Sequence, residues 1–152
     1  MNKFLQIAIN EAKKAVVKKT GGPFGAVIVC KGKIIAKAHN TVIKDNDSTA
    51  HAEINAIRKA SKKLKNYDLS GCELYVTCEP CPMCYSAIHW SRIKKIYFGA
   101  SSKDASKIGF DDKALYQILN GKKKAIVKKQ KLSDDGCIAL MKKYAKSVHK
   151  KY

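Results

Sequence analysis

His51 and Glu53 stand two residues apart in "STAHAEINAIRKA" (48–60), and Cys81 and Cys84 stand three apart in "TCEPCPMCYSAIHW" (77–90). An acidic residue in a first helical turn suits the helix dipole, and Ser48 or Thr49 can serve as N-cap, but neither requirement calls for a histidine. Two cysteines three apart on one helical turn put both sulfurs on the same side, the spacing at which two thiolates can share a zinc ion. A lone C-x-x-C has modest specificity, because redox pairs use it too and Cys78-x-x-Cys81 offers a second one. One imidazole nitrogen with two thiolates makes three protein ligands and leaves a fourth position for water, which marks a catalytic zinc rather than a structural one. Glu53 then has a task, taking the proton of that water and delivering it elsewhere. His39, His89 and His149 lack comparable company and default to surface or packing roles.

For these residues to meet, two helices must begin at the same end of one sheet. The apolar spacing of Phe4, Leu5, Ala8, Ile9, Ala12, Ala15 and Val16 predicts an N-terminal helix, ended by "TGGP". "FGAVIVC" and "KIIAKAHN", joined by "KGK", predict a β-hairpin. A helix near 50–64, a strand "CELYVTC", a helix from the Pro-Cys-Pro-Met-Cys run and a strand "IKKIYFGA" follow. A short helix near 112–120, a strand "KAIVKK" and a final helix over 133–152 complete the pattern. Without a linker or repeat, this predicts a single α/β domain over 1–152, a hairpin feeding βαβ crossovers that would place His51 beside Cys81 and Cys84.

The chain has 152 residues and an apolar content of 45%, which suits one globular domain. Charges interrupt the N-terminal apolar repeat, and no apolar run reaches membrane-spanning length, so the chain reads as cytosolic. In that setting the six cysteines are expected as thiols or metal ligands rather than disulfides. The net charge of +19 would suit a polyanion such as RNA, but the excess is almost all lysine, with Arg58 and Arg92 the only arginines. Scattered lysine is usually a solvated surface, so charge alone decides nothing.

The stretches "GGPFGAVIV", "AHN", "STAHAEINAIRKA", "CELYVTCEPCPMCYSAI" and "GFDD" resemble the cytidine deaminase-like superfamily, and within it the small bacterial guanine deaminases, over about residues 20–112. The resemblance implies a three-layer α/β/α sandwich with a central mixed sheet, a homodimer, one zinc per subunit and hydrolytic release of ammonia. Carried over by position, His51, Cys81 and Cys84 match the zinc ligands and Glu53 the proton shuttle.

The related tRNA adenosine deaminases share His-Ala-Glu and Pro-Cys-x-Met-Cys. Gly22-Pro23-Phe24-Gly25, Trp90 and "GFDD" resemble the guanine branch instead. Guanine presents N–H donors along one edge, which Asp112 can accept while the Asn40 amide supplies a donor and an acceptor. Phe24 and Trp90 offer faces for stacking. Each also has an ordinary alternative: Phe24 opening a core strand, Asn40 ending one, Trp90 filling the core, Asp111 or Asp112 capping a helix. Deamination of guanine to xanthine is thus the leading expectation. A tRNA adenosine deaminase is the main alternative, followed by deamination of cytosine or another base or nucleoside, and by a noncatalytic zinc-stabilised RNA-binding module. In the final helix Ser133 would be the N-cap and Ile138, Met141, Ala145 and Val148 the apolar face. The chain ends at Tyr152, and this segment could close the pocket of its own or a neighbouring subunit.

Overall fold

The computed structural model describes residues 2–132 and 135–146. Helix α1 (Lys3–Val17) starts at Asn2, whose side-chain oxygen accepts from the N–H groups of Phe4 and Leu5 at 2.9 and 3.2 Å. Strands β1 (Gly25–Cys30) and β2 (Lys33–His39) form the expected hairpin. Its two turn residues, Lys31 and Gly32, have φ of 48° and 74°, the left-handed pair whose twist matches the strands they join.

A single turn, α2 (Val42–Asp45), leads into α3 (Ala52–Leu64), followed by β3 (Cys72–Cys78), α4 (Pro82–Trp90) and β4 (Lys95–Ala100). The sheet order is β2-β1-β3-β4. β1 is antiparallel to both neighbours and β3 is parallel to β4. β2 and β3 therefore run in the same direction, and α3 and α4 each start where one of them ends.

Alternation along the central strands sends side chains to two separate cores. Val27, Val29 and Tyr75 pack with Ala8, Phe4 and Ile7 of α1 on one face. Ala26, Ile28, Leu74 and Val76 pack on the other with Ala52, Ala56 and Ala60 of α3 and Ile88 of α4. Alanines four apart leave α3 a flat stripe that can lie close to the sheet. α1 also approaches closely, because a Cβ on Gly25 would strike the backbone at Ala8 and Ala12. The result is the expected α/β/α sandwich with a mixed sheet.

Three features differ from expectation. Residues 124–129 form no strand: Ile126 and Val127 are exposed, and among the described residues the segment pairs with neither open edge of the sheet, β2 or β4. Cys30 and Cys72 are joined as a disulfide, because the β1–β3 register sets these two distant positions directly opposite each other. A short helix, α5 (Ser102–Ser106), opens with a capping box between Ser101 and Asp104. The expected helix near 112–120 is α6 (Lys113–Leu119). The described part of the final helix is α7 (Asp135–Lys146), on which Ile138, Met141 and Ala145 are exposed. Ser133, Val148 and Tyr152 lie outside the described residues. Among the described residues, no helix is long and apolar enough to cross a membrane.

Candidate metal centre and cavity

His51 is itself the N-cap of α3, ahead of the first turn and not within it, and neither Ser48 nor Thr49 fills that role. Its backbone is extended, with φ −68° and ψ 157°, and its side chain makes no capping bond. Cys81 holds the same position on α4, at φ −65° and ψ 166°, with Pro82 at the start of the helix. Two helix starts at one end of the sheet thus present an imidazole and a thiol to each other, and Cys84 joins them from the first turn of α4.

His51 Nδ1 lies 3.7 Å from Cys81 Sγ and 3.5 Å from Cys84 Sγ. All three ligating atoms fall within 4.8 Å of one another. Zinc bonds of about 2.3 Å to sulfur and about 2.0–2.1 Å to nitrogen, at a tetrahedral angle, set the N···S edge at about 3.6 Å, so these residues fit one zinc ion. Cys78 stands outside the cluster, and its Sγ contacts Ser101 O at 3.6 Å. The hydrogen bond from Cys84 brings Cys81 down to about 4, while the same bond and burial push Cys84 up. The hydrogen bond with Cys81 raises His51 against the opposing effect of burial. A divalent cation would take the place of these protons.

Glu53 lies two residues beyond His51, only 8% exposed, and burial raises its carboxyl above the usual range. It opens with His51 and Cys81 onto a cavity of about 490 Å³, within the range that holds small ligands. Phe24, Asn40 and Asp112 line the same cavity. Asn40 is buried at 4% exposure, and its Oδ1 accepts from Val42 N at 3.1 Å, which fixes which end of the amide is the acceptor. Gly21 permits this, since a Cβ there would overlap the Asn40 amide. Asp111 accepts from Lys113 N at 2.9 Å at the start of α6, whereas Asp112, the N-cap residue, makes no capping bond. Burial, then the nearby Cys81, raises the Asp112 carboxyl.

Residues 1–100 match the family model for the cytidine and deoxycytidylate deaminase zinc-binding region. The chain belongs to this deaminase family. Among individual deaminases it is 52% identical over 117 residues to a guanine deaminase of Bacillus subtilis, covering 77% of this chain and 75% of that one. It is also 52% identical over 100 residues to a tRNA-specific adenosine deaminase of Aquifex aeolicus, covering 66% of each. The crystal structure of the Bacillus subtilis guanine deaminase superposes with a TM-score of 0.92 at 41% identity, over 100% of this chain and 99% of that one. The guanine deaminase of Nitrosomonas europaea superposes with a TM-score of 0.67 at 33% identity, over 72% and 64%.

Of the residues singled out from sequence, this deaminase brings His51, Glu53, Cys81, Cys84, Asn40, Phe24 and Asp112 together. Trp90 is not among them. It ends α4, whose first turn carries Cys84, and it is 72% exposed, so it neither lines the cavity nor fills the core. Tyr152 lies outside the described residues. Two further cavity residues come from loops without periodicity. Phe110 meets Phe24 edge-on, with ring centroids 4.9 Å apart, and Glu79 accepts from Ser102 N at 3.0 Å. The "GFDD" stretch is the sequence signal that contains Phe110.

Proposed function

We propose that this chain is a zinc-dependent deaminase of a free purine base, converting guanine and water to xanthine and ammonia. The observation that carries the reading is the shared cavity: His51 and Cys81 of the three-ligand cluster, a buried carboxyl, an amide and an acceptor carboxylate line one space of about 490 Å³. His51, Cys81 and Cys84 would hold zinc, which supplies a Lewis acid that lowers the pKa of a water toward neutrality. Glu53 takes the proton of the attacking water and returns it to the departing amino group, and a buried carboxyl with a raised pKa suits both transfers. Asp112 accepts from N–H donors on the base edge, and Asn40 donates to a ring acceptor. Phe24 and Phe110 give the ring an apolar wall.

The tRNA reading has the lysine excess and the Aquifex aeolicus relative in its favour. Against it, the cavity is lined by Glu53, Glu79, Asp111 and Asp112, with no lysine or arginine among its described lining residues. Such a lining favours a neutral base with N–H donors over a phosphate-bearing substrate. The proposal extends to a cytoplasmic homodimer and to one domain whose C-terminal segment closes a cavity. The exposed apolar residues Leu140 and Met141 of α7 support that last part, since they offer a surface for packing. The test is ammonia release from guanine, cytosine, adenosine and a tRNA anticodon stem-loop at low and moderate salt. Guanine turnover that changes little with salt is expected, because a neutral base releases no condensed counterions. Turnover of the stem-loop alone, falling steeply with salt, would overturn the reading.

A further inference from the structure

We propose that Asn55 is a positioning residue for base recognition, holding the Asn40 segment against the helix that carries His51 and Glu53. The proposal rests on the cavity reading above, in which Asn40 is the donor to the base. Asn55 lies one turn inside α3, half-buried, and is not among the cavity-lining residues. Its Nδ2 reaches His39 O at 3.1 Å, Thr41 Oγ1 at 2.9 Å and Ala50 O at 3.2 Å. The first two acceptors flank Asn40 on either side, and the third immediately precedes His51.

Two of the three partners are carbonyl oxygens, which only accept, so the amide must present its NH2 end and its orientation is set. Thr41 N also donates to Ala50 O, at 3.0 Å, so that one carbonyl joins the two segments twice. Asn40 has its own anchors: Asn40 N donates to Phe24 O at 3.0 Å, Thr20 Oγ1 donates to Asn40 O at 3.2 Å, and Val42 N holds Oδ1. Those bonds tie Asn40 to the start of β1 and to its own turn. Among the described residues, the bonds of Asn55 and of Thr41 N tie its immediate neighbours to the metal end of α3. Asparagine is a poor interior helix residue, so a position where its two amide N–H groups are shared among three acceptors has a reason to hold it despite its propensity.

Acting through Asn40, Asn55 sets the distance between the donor that binds the base and the groups that transform it. The test is a double-mutant cycle on the full zinc-loaded chain, with Asn55→Ala and Asn40→Ala singly and together, and Asn55→Ser as a milder variant that retains one donor. Asn55→Ala should raise KM for guanine about tenfold, the equivalent of one lost hydrogen bond of about 1.4 kcal/mol, with kcat and zinc content near wild type. In the Asn40→Ala background the same change should have little further effect. An undiminished effect there, or a loss falling on kcat or zinc content instead, would overturn the proposal.

A second readout needs no substrate. The side-chain amide signals of Asn40 in the 15N spectrum of the ligand-free protein should shift or broaden in Asn55→Ala and in Asn55→Ser, while those of Asn120, at the end of α6, stay in place. Unmoved Asn40 signals in both variants overturn the positioning role. Absence of guanine turnover in the wild type would refute the substrate reading alone and leave this readout in force.

Discussion

Replacing Glu53 by glutamine keeps the shape of the side chain and removes its capacity to take up and deliver a proton. Glu53 is only 8% exposed, so bulk water has little access to replace it as a proton carrier. A positioned acid–base group contributes about 10²–10⁴-fold to rate. At about 1.36 kcal/mol per tenfold, that is about 2.7–5.4 kcal/mol of barrier. Because the same carboxyl handles both the water proton and the proton given to the amino group, the loss should fall in the upper half of that range. His51, Cys81 and Cys84 keep their positions, so the variant should retain its metal and its melting temperature. The assay is ammonia release under saturating guanine, with zinc measured on the same preparation. Turnover within about tenfold of wild type at full zinc content would refute the shuttle role, because no positioned acid–base group is worth so little. Loss of zinc from Glu53→Gln would instead make Glu53 part of the metal site.

Three other outcomes are open to direct measurement. Purified protein should carry about one zinc per chain, lost in His51→Ala, Cys81→Ser and Cys84→Ser but kept in Cys78→Ser, as elemental analysis would record; loss in Cys78→Ser would mean four protein ligands and a closed, structural site. Burial raises the Glu11 carboxyl, but hydrogen bonds from Lys14 at 2.7 Å and His39 at 3.1 Å outweigh it and leave the pKa below 4.5. A depressed folded pKa means stability that is present above the unfolded value and lost as pH falls through the folded one. Glu11→Gln should therefore cost about 1 kcal/mol in urea unfolding at pH 7, reduced by solvent screening at the half-exposed Lys14, and the difference should shrink as pH falls below the ordinary carboxylate range; a gap independent of pH would rule out the ion pair as its source. Removing the last four residues, 149–152, should lower guanine turnover severalfold with zinc content and thermal stability nearly intact, whereas unchanged kinetics would leave Tyr152 without a role in closure.

The parts of the fold legible in the sequence are those with local signals. The hairpin turn is one, and the helices bearing Ala52, Ala56 and Ala60 or opening at Pro82 are others. His51, Glu53, Cys81 and Cys84 were legible for the same reason, since ligand spacing within each helix start is local and the crossover brings the two starts together. Features that depend on distant partners were not. The Cys30–Cys72 disulfide follows from strand register, and the Phe24–Phe110 contact follows from where a loop folds back. Residues 124–129 contain β-branched Ile126 and Val127 but join neither open edge of the sheet, so local propensity points to a strand that tertiary structure does not make. The resemblance to the guanine branch and an aromatic face suited to stacking single out Trp90, yet the helix that presents Cys84 at its start carries Trp90 to its far end.

The most direct measurement is the fate of guanine in 18O-labelled water with zinc-loaded wild-type protein. Hydrolytic deamination requires xanthine with one 18O atom per molecule and an equal amount of ammonia, both read by mass spectrometry and ammonia assay on one sample. Unlabelled xanthine would contradict attack by water. Unchanged guanine, with inosine formed in a tRNA stem-loop under the same conditions, would contradict the substrate.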